Sequence, residues 1–172
     1  MLSISGKSGK AETLAADAAA AAEYQDGENT KEKDDYYTKE EGFSHWGGNK
    51  ELMERLGINP DSEPDIDTRI ALMMGIDPST GEQIVQCRAR RKMGWDLTFS
   101  APKSVSVVWG ATENSDLKKA IQEAHNKAVE KALEEVQELT YRGMGSNGYG
   151  YKSKVDIVYS SHQHGTSREL DP

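Results

Sequence analysis

Three groups of residues in this 172-residue chain combine types and spacings that can do chemistry. The first is Asp96, inside the run Gly94-Trp95-Asp96-Leu97-Thr98-Phe99-Ser100-Ala101-Pro102-Lys103-Ser104-Val105-Ser106-Val107-Val108. Residues 95–99 alternate as a strand does, so the Asp96 carboxylate and the Thr98 hydroxyl leave the sheet on one face. An aspartate there can serve a reaction or simply be solvated, as most aspartates are. The second is Lys103, placed at a corner by the Pro102 ring; its ammonium can meet a phosphate or face water, with Ser100 and Ser104 as lesser hydrogen-bond donors. The third is the pair His162 and His164, two apart, so on a strand their imidazoles point the same way. That spacing occurs in metal sites and also by chance.

Other motifs are weaker. Gly6-Lys7-Ser8 lacks the glycine five places earlier that a phosphate loop requires, and no suitable hydrophobic helix follows it. Gly148-Tyr149-Gly150-Tyr151-Lys152 can stack on a base and touch a phosphate, or merely turn a hairpin, the plainer reading. His125 falls on the apolar side of a helix, where a hydrogen-bonded core histidine is the better reading than a ligand. His45 reads as a surface residue.

The elements that must position these residues follow from pattern. Residues 1–5 alternate as a short strand that Gly6, Ser8 and Gly9 break. Residues 11–24 are alanine-rich and helical, ending at Gly27. Residues 28–41 are charged and aperiodic, a mobile loop bearing Tyr36 and Tyr37. Helices over 50–56 and 67–74 stop at Gly57 and Gly75, and a turn follows at 77–81. Residues 83–91 are ambiguous. Residues 104–109 read as a second strand, so the Ser-Ala-Pro-Lys corner joins two β segments and sets an acid and a base at a sheet edge. Asn114 or Ser115 caps the longest helix, which ends near Tyr141 and carries the stripe Leu117, Ile121, Ala124, Ala128, Val129, Ala132, Leu133 and Val136, an apolar face for a sheet. A glycine-rich turn over 143–150 leads to a strand over 154–160. Strands and helices are mixed rather than regularly alternating, which predicts an α+β fold with an antiparallel β-sheet flanked by helices.

Composition sets outer bounds. The length suits one domain able to bury a core, built mostly after Trp46, with 1–45 peripheral and 46–172 the packed part. The net charge of −8 argues against a nucleic-acid binder when taken alone. Its distribution matters more: acids concentrate in 23–41, 61–67 and 113–138, while Arg88, Arg90, Arg91, Lys92 and Lys103 bracket the run around Asp96. One cysteine, Cys87, excludes an intrachain disulfide and a multi-cysteine zinc module and fits a reducing compartment, read as cytoplasmic. No segment has the pattern of a signal peptide or the length of a membrane span, so no membrane insertion is expected.

The run at 94–108 and the closing His164-Gly165-Thr166-Ser167-Arg168-Glu169-Leu170-Asp171-Pro172 together resemble the conjugative relaxases of the TrwC/TraI (MobF) type. The opening Met1-Leu2-Ser3-Ile4 and Trp46-Gly47 extend the resemblance over nearly the whole chain. It implies the N-terminal part of a relaxase domain, an antiparallel sheet flanked by helices of the HUH, rolling-circle-nuclease-like kind, here incomplete. It also implies site- and strand-specific nicking of a plasmid transfer origin by metal-assisted tyrosine transesterification, through a 5'-phosphotyrosine intermediate.

The roles the resemblance implies are these. Asp35-Tyr36-Tyr37 matches the family's second tyrosine pair, and Tyr24 stands at the place of the first, in Ala22-Glu23-Tyr24-Gln25-Asp26-Gly27; the order of candidate nucleophiles is Tyr24, Tyr36, Tyr37. Asp96 falls beside nucleophile and metal. His164 matches the first of three metal histidines, for Mg2+ or Mn2+, the other two belonging to a Leu-His-Thr-His stretch after Asp-Pro; His162 is accessory. A chain stopping at Pro172 lacks that stretch and is expected to be inactive by itself. Arg88, Arg90, Arg91, Lys92, Lys103, Ser100, Ser104 and Arg168 are the expected DNA contacts. The partners would be single-stranded or hairpin origin DNA and the conjugation machinery. The alternative reading is a non-catalytic DNA-binding or interaction module derived from a relaxase.

Overall fold

The structure, a computed structural model, describes residues 2–32, 44–86, 90–144 and 150–163, and of residues 24–32, 90 and 144 the backbone alone. In chain order its elements are β1 (Leu2–Lys10), α1 (Leu14–Glu32), β2 (Ser44–Gly48), α2 (Lys50–Arg55), α3 (Ile66–Met74), β3 (Arg90–Phe99), α4 (Lys103–Ala111), α5 (Ser115–Leu139), β4 (Tyr141–Met144), β5 (Tyr151–Lys154) and β6 (Val158–His162). This is the mixed α+β class the element pattern predicts. Strands pair as β1 with β3, β2 with β6, and β4 with β5, the last two pairs antiparallel. The chain divides into two compact units, one of Ser3–Thr98 with Val158–Asp171, the other mainly of Phe99–Ile157.

In the first unit the core is Trp46, Met53, Leu56 and Ile58, with Leu52, Leu72 and Val158 partly buried against it. Burying an aromatic and three aliphatic side chains of this size contributes roughly 1.5–3 kcal/mol each. α1 adds Leu14, Ala18 and Ala22, all buried at a spacing of four, which is one helix face; α1 packs on α3. Helix ends are set by side chains. Asn49 caps α2 by accepting from the Leu52 N–H at 2.9 Å, and Asp65 caps α3 by accepting from the Thr68 N–H at 2.8 Å. Gly75 closes α3 with φ 73°, the left-handed conformation that glycine adopts without penalty.

The second unit holds α4, α5 and the β4–β5 ribbon. Asn114 caps α5 through the N–H groups of Asp116 and Leu117. The Lys118 ammonium sits 5.4 Å from the centre of the Trp109 ring, tying α5 to α4. No described residue of α4 or α5 is fully buried, so the apolar stripe of α5 is only partly covered.

Several expectations are corrected. Residues 104–109 are helix, not strand: Val105, Val108 and Trp109 lie at helical spacing, and the Pro102 carbonyl accepts from the N–H groups of Val105 and Ser106. The β-branched alternation was a weaker signal than this local start. Lys103 therefore opens a helix and does not sit on a sheet edge. α1 runs past Gly27 to Glu32, since one interior glycine costs only about 1 kcal/mol. β1 continues through Gly6, Ser8 and Gly9 to Lys10, and at Gly9 a side chain would collide with Leu14. The expected strand over 154–160 is two strands, because the Gln137 side chain donates to the Val155 carbonyl and accepts from the Ile157 N–H, taking the groups a ladder would need.

Candidate DNA-processing site

β1 and β3 carry the best-defined part of the candidate site. Between them they hold Lys7, Lys10, Arg90, Arg91 and Lys92 and a single carboxylate, Asp96. The Lys7 ammonium lies 3.6 Å from Asp96 Oδ2, with each side chain about one third exposed. That is an ion pair without a tight hydrogen bond, so the carboxylate keeps lone pairs for another donor. Lys92 is exposed and its side chain lies over Gly6, whose missing side chain makes room for it. Cations thus border the acid on two strands, an arrangement that attracts a phosphate chain despite the overall charge of −8.

Arg91 has a structural task. Its guanidinium donates to the carbonyls of Met74, at 2.9 Å, and Val85, at 3.1 Å, and packs directly on Gly75. A cation here also complements the negative end of α3. The same group was expected to contact DNA, and two of its five donors are already engaged in the fold.

β6 brings His162 to β2. In the register Ser44 pairs with His162, His45 with Ser161, Trp46 with Ser160, Gly47 with Tyr159 and Gly48 with Val158. Ser44 Oγ and His162 Nδ1 are 3.2 Å apart, a hydrogen bond that orients the ring. Position 164 follows two residues later. The Tyr159 ring lies across Gly47, so close that a side chain at Gly47 would overlap it.

Of the other expected site residues, Tyr24 lies inside α1 and Arg90 opens β3, both described by backbone alone. Tyr36, Tyr37, Arg88, His164 and Arg168 fall outside the described residues. Ser100, Lys103 and Ser104 belong to the Phe99–Ile157 unit, at and just before the first turn of α4, and all three are exposed. Among the described residues no three His, Cys, Asp or Glu side chains cluster as metal ligands. No helix among them is long and apolar enough to cross a membrane.

Sequence reasoning missed two contacts. Lys7 belongs in sequence only to the Gly6-Lys7-Ser8 stretch, and its place on a strand paired with the Asp96 strand carries no local signal. The Ser44–His162 bond joins residues 118 positions apart, which no motif reveals.

With this geometry in place, comparison with known proteins is specific. The family model described as TrwC relaxase matches residues 18–172. The multifunctional conjugation protein TraI of Escherichia coli is 31% identical over 142 residues, 82% of this chain and 8% of TraI. TraI of Escherichia coli strain K12 gives the same identity and coverage. The chain thus spans less than a tenth of the length of these relatives.

Proposed function

Because this chain belongs to the TrwC relaxase family, we propose that it forms part of a conjugative relaxase that nicks one strand of DNA at a plasmid transfer origin. The observation that carries this reading is the family match over residues 18–172, with Asp96 set among cations on β1 and β3. The basic residues hold the DNA backbone as counterions leave it. The phenolic oxygen of Tyr24 attacks the scissile phosphorus; a Tyr–O–P bond forms and the bond to the 3' oxygen breaks, leaving a 5'-phosphotyrosine and a 3'-hydroxyl. Asp96 accepts the phenolic proton or orients the ring, and the departing 3' oxygen takes a proton from solvent.

His164 is the residue given to the divalent ion, Mg2+ or Mn2+, together with two histidines of the Leu-His-Thr-His segment that follows Asp-Pro in the family. When bound, such an ion supplies polarisation of the scissile phosphate.

The test is incubation of a chain extended past Pro172 through such a segment with single-stranded transfer-origin DNA and Mg2+ or Mn2+, scored as a covalent adduct on a denaturing gel. An adduct lost in Tyr24→Phe is the expected result. An unchanged adduct moves the role to Tyr36 or Tyr37, and no adduct from the unaltered chain leaves a non-catalytic DNA-binding module.

A further inference from the structure

Gly9 of β1 lies where three elements of the first unit meet. An added Cβ there would stand 2.8 Å from Leu14 Cδ1 and 3.2 Å from Asp17 Oδ2, both on α1, and 3.2 Å from Met93 Sδ on β3. α1 is the helix of Tyr24, and β3 is the strand of Asp96. Gly9 sits inside a strand and is not among the described glycines with positive φ, so it supplies room rather than an unusual conformation.

The connection from β1 to α1 has little slack. Residues 11–13 alone separate the two elements. The Thr13 N–H donates to the Lys10 carbonyl at 3.2 Å, and Thr13 Oγ1 donates to Asp17 Oδ2 at 2.8 Å, which holds that carboxylate beside Gly9. Leu14 is buried, so a methyl group at position 9 presses on the seated first turn and not on a free side-chain end. Further along, Ala18 and Ala22 are buried and α1 packs on α3. Two residues before Gly9, the Lys7 ammonium lies 3.6 Å from Asp96 Oδ2. One strand thus meets the acid through Lys7 and the base of the tyrosine helix through Gly9.

We propose that Gly9 is a positioning residue for the transesterification: its missing side chain lets the first turn of α1 seat against β3, and this sets the spacing between Tyr24 and Asp96. It rests on the reading that Tyr24 attacks and Asp96 assists, and it adds the residue that fixes their separation. Tyr24 stands ten residues beyond Leu14, a lever of about 15 Å at about 1.5 Å per residue. A tilt of about 5° at the base moves the far end of that lever by about 1.3 Å. A misplacement of about 1 Å at a reacting group can lower a rate about a hundredfold.

The experiment compares Gly9→Ala and Gly9→Val, alone and combined with Leu14→Ala, which vacates the contact; circular dichroism checks folding, and Gly9→Ala carries the test if Gly9→Val does not fold. The first readout needs neither DNA nor metal. Nitroxides at Ala20→Cys on α1 and Thr98→Cys on β3, both exposed positions, in a Cys87→Ser background, report their separation by double electron–electron resonance. The expected result is a shift of about 1 Å or more in Gly9→Val, largely reversed by Leu14→Ala. The second readout is single-turnover adduct formation at saturating single-stranded transfer-origin DNA, with Mg2+ or Mn2+, in a chain extended past Pro172 through a Leu-His-Thr-His segment. Gly9→Ala should slow it about tenfold and Gly9→Val about a hundredfold, with the DNA dissociation constant within about twofold of the parent, and Leu14→Ala should recover about tenfold of the larger loss. An unchanged separation in both variants, an unchanged rate at full DNA occupancy, or a rate loss that Leu14→Ala does not relieve overturns the role of Gly9 and leaves Tyr24 as nucleophile. An adduct that survives Tyr24→Phe overturns the reading beneath it.

Discussion

Lys7 Nζ stands 3.6 Å from Asp96 Oδ2, joining β1 to the acid of the candidate site. A pair this exposed contributes about 0–1 kcal/mol to folding and is screened by salt. Its consequence is positional: the ammonium biases where the carboxylate points.

Lys7→Met should therefore leave urea stability within about 1 kcal/mol of the parent. In a chain extended past Pro172 through a Leu-His-Thr-His segment, it should slow single-turnover adduct formation about fivefold, an effect of about 1 kcal/mol. Lys7→Arg should restore most of the rate. A Lys7→Met chain as fast as the parent at low salt would show that Asp96 needs no such partner.

Arg91 and Gly75 offer a stability test. Gly75→Ala places a methyl where the Arg91 guanidinium lies and strains a left-handed cap, so a loss of about 1–3 kcal/mol is expected in urea unfolding. Arg91→Met removes two charge-assisted hydrogen bonds to Met74 and Val85, for a loss of about 1.5–3 kcal/mol. If Arg91→Met unfolds like the parent and only DNA binding weakens, the guanidinium serves DNA rather than α3.

The Tyr159 ring over Gly47 predicts a compensating pair. Gly47→Ala should cost about 1–3 kcal/mol by overpacking. Adding Tyr159→Ala should recover part of that loss, a non-additivity that a double-mutant cycle in urea measures. Simple additivity would mean that the ring moves aside freely.

Asp65 makes α3 sensitive to acid. Burial opposes its ionisation, but hydrogen bonds from Thr68 and the nearby Arg69 charge outweigh this and hold its pKa below the ordinary 3.8. A depressed carboxylate contributes stability that is complete above its unfolded value and is lost as pH falls through the folded one. Between pH 5 and 2 the parent should thus lose more stability than Asp65→Asn, which keeps a capping oxygen but does not titrate. Equal acid sensitivity would place the effect at other carboxylates.

Helix stops and caps were legible because they are local chemistry. Gly75 and Asn114 stand where the pattern puts them, whereas Leu117, Ala124 and Ala128 of the α5 stripe are exposed rather than packed on a sheet. The mixed α+β class was equally legible. Residues 104–109 were not, since alternating β-branched residues also suit a short helix once Pro102 has started it. The break at 155–157 depends on Gln137, a residue 18 positions away that no window of strand pattern contains. For the candidate site, Asp96 and the surrounding cations were visible as types, whereas the Lys7 and Ser44 contacts arise only from strand pairing.

The pairing of β6 with β2 also sets a timetable. Ser44 must wait for a partner 118 positions downstream, and the whole Phe99–Ile157 unit is made in between. At synthesis rates of about 5–20 residues per second, the β2 edge stays open on the order of ten seconds. During that interval Trp46 lacks the strand that later runs beside it, so the nascent chain is most open to misfolding and chaperone capture there. Closing that edge is the act that brings His162 against Ser44.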